Sequence, residues 1–133
     1  MYDPSTWERI RIITACPSGY HSHTLRVTNC GIVLACYYNH CIHVFDDSGS
    51  LQQTHGVKGD VTREFYCPRL CSTESDGSMF VADHYSDRLQ VFHNGKWCVL
   101  PLQRQPSSLV GAVVTQHALY VAGGGKLIMY KIQ

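Results

Sequence analysis

The octapeptide CYYNHCIH, Cys36 to His43, gathers four side chains of metal-ligand type: Cys36, His40, Cys41 and His43. Thiolate and imidazole donors of this kind hold zinc when four of them converge tetrahedrally. On an extended strand Cys41 and His43 share a face, but Cys36 and His40 lie across a turn, and no second Cys-x-x-Cys pair completes the set. Cys67 and Cys71, in CPRLC, would stand about 13 Å apart on a strand. The spacing therefore predicts no metal and no cofactor. Catalysis finds no better support. Cys98 sits beside Trp97 in a strand-like run, and the eight histidines are scattered. No nucleophile, base and orienting acid form a common pattern. GGGK, Gly123 to Lys126, lacks the helix N-terminus of a phosphate loop. The chain reads as non-catalytic.

The element that positions these side chains is a repeat. It runs GIVLACYYNHCIHVFDDSGSL from Gly31, SMFVADHYSDRLQVFHNGKW from Ser78, and ALYVAGGGKLIMYKI from Ala118. Leu34-Ala35, Val81-Ala82 and Val121-Ala122 align, and a polar or glycine-rich turn follows each. An alternating strand then ends in Phe45, Phe92 or Tyr130, the pattern of a half-buried sheet. DDSGS and HNGK supply hairpin turns. Pro17, Pro68 and Pro106 precede the copies with room for one more strand each. The alanines Ala35, Ala82 and Ala122 lie 47 and 40 residues apart, the range of four-stranded propeller blades. No long 3.6-residue apolar period occurs, so the expectation is all-β with essentially no helix.

The strand order reads d, abcd, abcd, abc. Residues 1–17 are an orphan d strand, 18–56 and 57–104 are blades, and 105–133 is a blade lacking its own d strand. The N-terminal strand is expected to complete that last blade. Three blades are half of a six-bladed ring, so closure calls for a head-to-tail homodimer or for further N-terminal blades.

Composition narrows the partners. At 44% hydrophobic and 16% charged, the 133 residues suit a globular chain. A net charge of +1 creates no field that favours nucleic acid or an acidic membrane. There is no run of eighteen apolar residues for a membrane span. Seven cysteines with no visible secretory leader predict a cytoplasmic chain whose thiols stay reduced and fill small buried sites.

The middle copy, DGSMFVADHYSDRLQVFHNGKW, resembles an NHL repeat. Asp76, Gly77, Val81-Ala82-Asp83, Arg88-Leu89-Gln90-Val91-Phe92 and Gly95 carry the resemblance, and GVKGDVTREFYCPRL looks like that family's lead-in. It is strong over residues 56 to 97, weaker over 25 to 55, and a trace over 109 to 132. The first copy has Cys36 and Cys41 in place of Asp83 and Arg88, and the third has Gly123 and Lys126. The resemblance implies a structural role for Asp76, Gly77, Asp83, Arg88, Phe92 and Gly95. Degenerate repeats of this kind look most like the C-terminal propeller of tripartite-motif (TRIM-NHL) proteins. Ubiquitin-ligase activity there comes from a RING domain, which this sequence lacks, so a recognition role is implied.

Propeller ligands bind at blade loops. The b–c loops CYYNH and DHYSD concentrate Tyr37, Tyr38, His40, His84 and Tyr85, and the d–a connections add Arg69 and Arg104. Tyrosine is a common interface anchor, and rings interleaved with basic groups also suit single-stranded RNA. With charge near zero a protein ligand is the leading expectation and RNA the alternative. A propeller lyase or hydrolase ranks third, since the inner strands lack polar metal ligands. Tyr37 and Tyr85 could equally pack between blades.

Overall fold

The computed structural model describes residues 23–29, 31–59 and 61–131, together with Ser5 and Ile12. The expected orphan strand at residues 1–17 lies outside them, apart from those two residues. The described chain is all-β, with eleven strands in three antiparallel sheets.

The first sheet is a four-stranded meander of β1 (His23–Thr28), β2 (Gly31–Cys36), β3 (Cys41–Phe45) and β4 (Leu51–His55). The second runs β5 (Pro68–Thr73), β6 (Met79–Asp83), β7 (Arg88–His93) and β8 (Lys96–Val99) in the same order. The third has β9 (Leu109–Val114), β10 (Ala118–Gly123) and β11 (Lys126–Lys131), with β10 in the middle. The first strands of successive sheets lie side by side, β1 against β5 and β5 against β9.

Alternation dictates how the sheets pack. On β6, Met79 and Val81 point into one core with Val33, Ala35, Ile42, Phe65 and Leu70. Phe80 and Ala82 point the other way, into a second core with Leu89, Leu109, Leu119 and Val121. The middle sheet is therefore covered on both faces, whereas the period-two reading had anticipated one buried face per strand. A strand buried on both sides needs apolar residues at consecutive positions, as Met79-Phe80-Val81-Ala82 supplies. The end sheets each turn one face outward. Leu25 and Val27 are exposed on the first, and Val113, Leu127 and Met129 on the third.

The turns follow their residues. Asn94-Gly95 and Gly124-Gly125 both take two consecutive positive φ values, 49° and 74°, then 52° and 73°, the backbone of a tight two-residue hairpin. Asp76-Gly77 closes β5 onto β6: the Asp76 carboxylate accepts the Ser78 amide at 2.9 Å, and Gly77 has φ 85°. The longer b–c loops form short 3-10 turns at Tyr37–Asn39 and His84–Ser86, and no α-helix occurs among the described residues, in line with the expectation of essentially no helix. Each ends in a left-handed residue, His40 at φ 55° and Asp87 at φ 47°.

Candidate functional site

The two 3-10 turns and the loop entering β5 bring six aromatic rings together. Tyr37 is the buried centre, 6% exposed. Its ring meets Tyr38 edge-on at 5.0 Å, His84 at 6.0 Å and Tyr85 at 6.3 Å. Tyr66 joins from the loop, edge-on to Tyr85 at 5.2 Å and stacked on His40 at 5.4 Å with 20° between planes. Tyr38, Tyr66 and Tyr85 remain 52%, 37% and 62% exposed and form the outer surface of the cluster. Two cations cap rings: Arg69 lies 5.3 Å from the Tyr37 centroid and Lys58 lies 5.0 Å from that of Tyr66.

Burial sorts these side chains into supports and contact groups. Desolvation, reinforced by hydrogen bonding to Tyr85, pushes the Tyr37 phenol up to about 12, so it stays neutral under the surface. His40 is a clasp: its Nδ1 accepts the Cys67 amide at 3.0 Å. Burial first, and Lys58 second, hold its pKa below the ordinary histidine value. His84 Nδ1 lies 3.0 Å from the Leu109 carbonyl, which ties the second turn to β9. Tyr37, His40 and His84 thus position the exposed tyrosines. Arg69 is half-buried over Tyr37. Arg104 is exposed at a cleft of about 300 Å³ on the neighbouring loop, beside Gln105 and Lys126, rather than among the rings.

Beneath the face, Asp83 and Arg88 form an ion pair of 2.9 Å, with Asp83 fully buried and Arg88 at 13% exposure. They are directly opposed in the β6–β7 register. Asp83 also accepts the Tyr66 amide at 2.6 Å, and Arg88 donates to the carbonyls of Val61 and Glu64, each at 2.9 Å. Gln90, fully buried, completes the clamp: its Oε1 accepts the Arg63 amide at 3.0 Å and its amide nitrogen donates to Glu64 at 2.7 Å. The loop carrying Lys58 and Tyr66 is therefore held by buried polar groups of β6 and β7. Phe92, from the same signature, packs on Trp97 at 5.3 Å and on His55 at 4.9 Å.

No family model matches the chain, and no curated protein does. The geometry alone carries the functional reading.

The same register in the first sheet holds a different pair. Cys36 opposes Cys41 as Asp83 opposes Arg88. The Cys36 and Cys41 sulfurs and a His43 ring nitrogen all lie within 4.8 Å of one another. The sequence had separated Cys36 from Cys41 across a turn, but a hairpin register closes that gap. His40, grouped with them by spacing, points instead to Cys67. Cys36 is disulfide-bonded, which corrects the expectation of uniformly reduced thiols. Cys41, Cys67, Cys71 and Cys98 are free. Burial pushes the thiols of Cys41, Cys67 and Cys71 up, away from the thiolate form a nucleophile needs.

Sequence reading missed Tyr66 and Lys58, and it named Gln90 in the repeat signature without giving it a role. Tyr66 was within reach, because it stands two residues before Pro68 in a connection already read as part of the loop face. Nothing in the spacing marks Lys58 or the clamp that Gln90 makes; their partners are non-local.

Proposed function

We propose that the chain is a non-catalytic recognition module whose sheets are blades of an NHL-like propeller, and that it binds a protein ligand through Tyr38, Tyr66 and Tyr85. The observation that carries this is the exposure of three tyrosines grouped around the buried Tyr37 ring, on a hydrogen-bonded base. Such rings offer large contact area with few rotatable bonds and a polar tip, the usual composition of interface anchors. Support for blades comes from the meander order of each sheet, the row of first strands, and the outward apolar faces of the two end sheets, which suit further blades on either side. In a tripartite-motif context the module would recruit substrate, and ligase chemistry would reside in other domains.

The test is affinity capture on the immobilised chain from nuclease-treated lysate, beside Tyr38→Ala and Tyr85→Ala. One saturable protein, lost with both variants, is the expected result. An identical retained set with all three proteins rejects the face.

RNA is the second reading, favoured by the Lys58 ammonium over the half-exposed Tyr66 ring. It predicts salt-sensitive binding of a single-stranded oligonucleotide that Lys58→Ala weakens.

A further inference from the structure

Outside the recognition face, the end of the β2–β3 hairpin carries a second constellation. Cys41 Sγ lies 3.6 Å from His43 Nε2. That is the edge of a tetrahedron built with ordinary zinc–sulfur and zinc–nitrogen bonds, about 3.6 Å. The Cys36 sulfur shares the cluster. His43 Nδ1 is 2.8 Å from Thr54 Oγ1, its opposite residue on β4, so the ring is oriented with Nε2 toward the sulfurs. A metal-bound imidazole is held in this way, by a second hydrogen bond through its other nitrogen.

We infer that Cys36, Cys41 and His43 are three ligands of a zinc-type site that opens when the Cys36 disulfide is reduced. In the oxidised chain the Cys36 sulfur is committed to its disulfide and cannot serve as a thiolate. A dithiol reductant delivers two electrons and two protons to that disulfide, giving two thiols, while the dithiol itself becomes a disulfide. Three protein donors then leave the fourth tetrahedral position to water. Binding of the divalent ion displaces the thiol protons to solvent. Two thiolates and an imidazole select a borderline-soft ion such as Zn²⁺ over Mg²⁺ or Ca²⁺. Thr54 is a positioning residue.

The experiment uses the whole chain, reduced with a dithiol and desalted without oxygen, titrated with Co²⁺ and then displaced by Zn²⁺. Thiolate-to-cobalt charge-transfer absorption should saturate at one equivalent in reduced protein and be absent from oxidised protein. Cys41→Ser and His43→Ala should abolish saturation. Thr54→Val, at an exposed position that leaves the fold intact, should weaken binding on the order of tenfold. Cys98→Ser, at an exposed thiol away from the cluster, should bind as the parent does. Absence of a one-equivalent end point in reduced parent protein overturns the assignment. So does binding by His43→Ala or Cys41→Ser at parental affinity, or equal binding by the oxidised chain.

Discussion

The His40 imidazole accepts the backbone amide of Cys67 at 3.0 Å, and so fastens the end of one 3-10 turn to the residue that leads into the next sheet. The arrangement recurs one repeat later, where the Asp87 carboxylate accepts the Ser108 amide just ahead of β9. All four residues have positive φ: 55° and 66° in the first clasp, 47° and 51° in the second. Two left-handed residues, one giving and one receiving, thus join each sheet to its successor. In the first clasp the acceptor is a base that acid can remove.

His40 therefore makes the protein sensitive to acid, together with His55, whose Nδ1 accepts the Trp97 indole N–H at 3.3 Å. Burial is the main cause that lowers both pKa values from 6.5, with Lys58 adding to the effect at His40 and Arg63 at His55. The unfolded chain takes up these protons below about pH 6.5, and the folded chain does so only at lower pH. Their stability contribution is full above that value and declines as pH falls through the lowered folded-state values. Urea midpoints across this range should drop with acidification. The double variant His40→Asn, His55→Gln should flatten the slope, since asparagine accepts the same amide and tolerates left-handed backbone.

Removing one partner of the buried ion pair should damage the fold and the tyrosine face together. Asp83→Ala strands Arg88 and unties the Tyr66 amide. The expected loss is roughly 3 kcal/mol or more, read as a lower denaturant midpoint. Unchanged stability would mean that the pair does not hold the 56–67 loop.

Gly31 should reject any side chain. Its φ is 128°, and a Cβ would lie 2.0 Å from the Phe45 carbonyl oxygen, on backbone that cannot swing aside. Gly31→Ala is expected to cost about 2 kcal/mol or more. Gly95→Ala also has positive φ, 74°, but meets nothing within 4 Å and should cost less. Thermal melts of the two variants give the comparison.

Tyr38→Ala and Tyr85→Ala should behave in the opposite way. Both rings are more than half exposed, so stability should change by about 0.5 kcal/mol or less. Capture of the protein ligand should be lost. Tyr37→Ala removes the buried centre and should lose both stability and binding.

The outward faces of the end sheets predict self-association. Leu127 and Met129 are 70% and 63% exposed on the third sheet, and Val27 is 74% exposed on the first. Light scattering should give a mass near twice 15.0 kDa. The pair Leu127→Glu, Met129→Glu should shift it toward the single-chain value.

Period-two alternation, hairpin residues and the spacing of Ala35, Ala82 and Ala122 are local signals, and they made the all-β class and the repeated strand pattern legible in the sequence alone. They also placed Tyr38 and Tyr85 in the loops between strands, whereas Asp83 and Arg88 were singled out by the resemblance to an NHL repeat. What the tertiary structure alone decided depends on non-local contact. Burial made Tyr37 a support and left Tyr85 a surface. A 27-residue span turned His40 from a ligand candidate into a clasp. The approach of the lead-in loop placed Tyr66 and Lys58 on the face, and cross-strand register put Cys36 beside Cys41. Local spacing encodes which way a side chain leaves its strand, but what it then meets is set by the packing of distant segments.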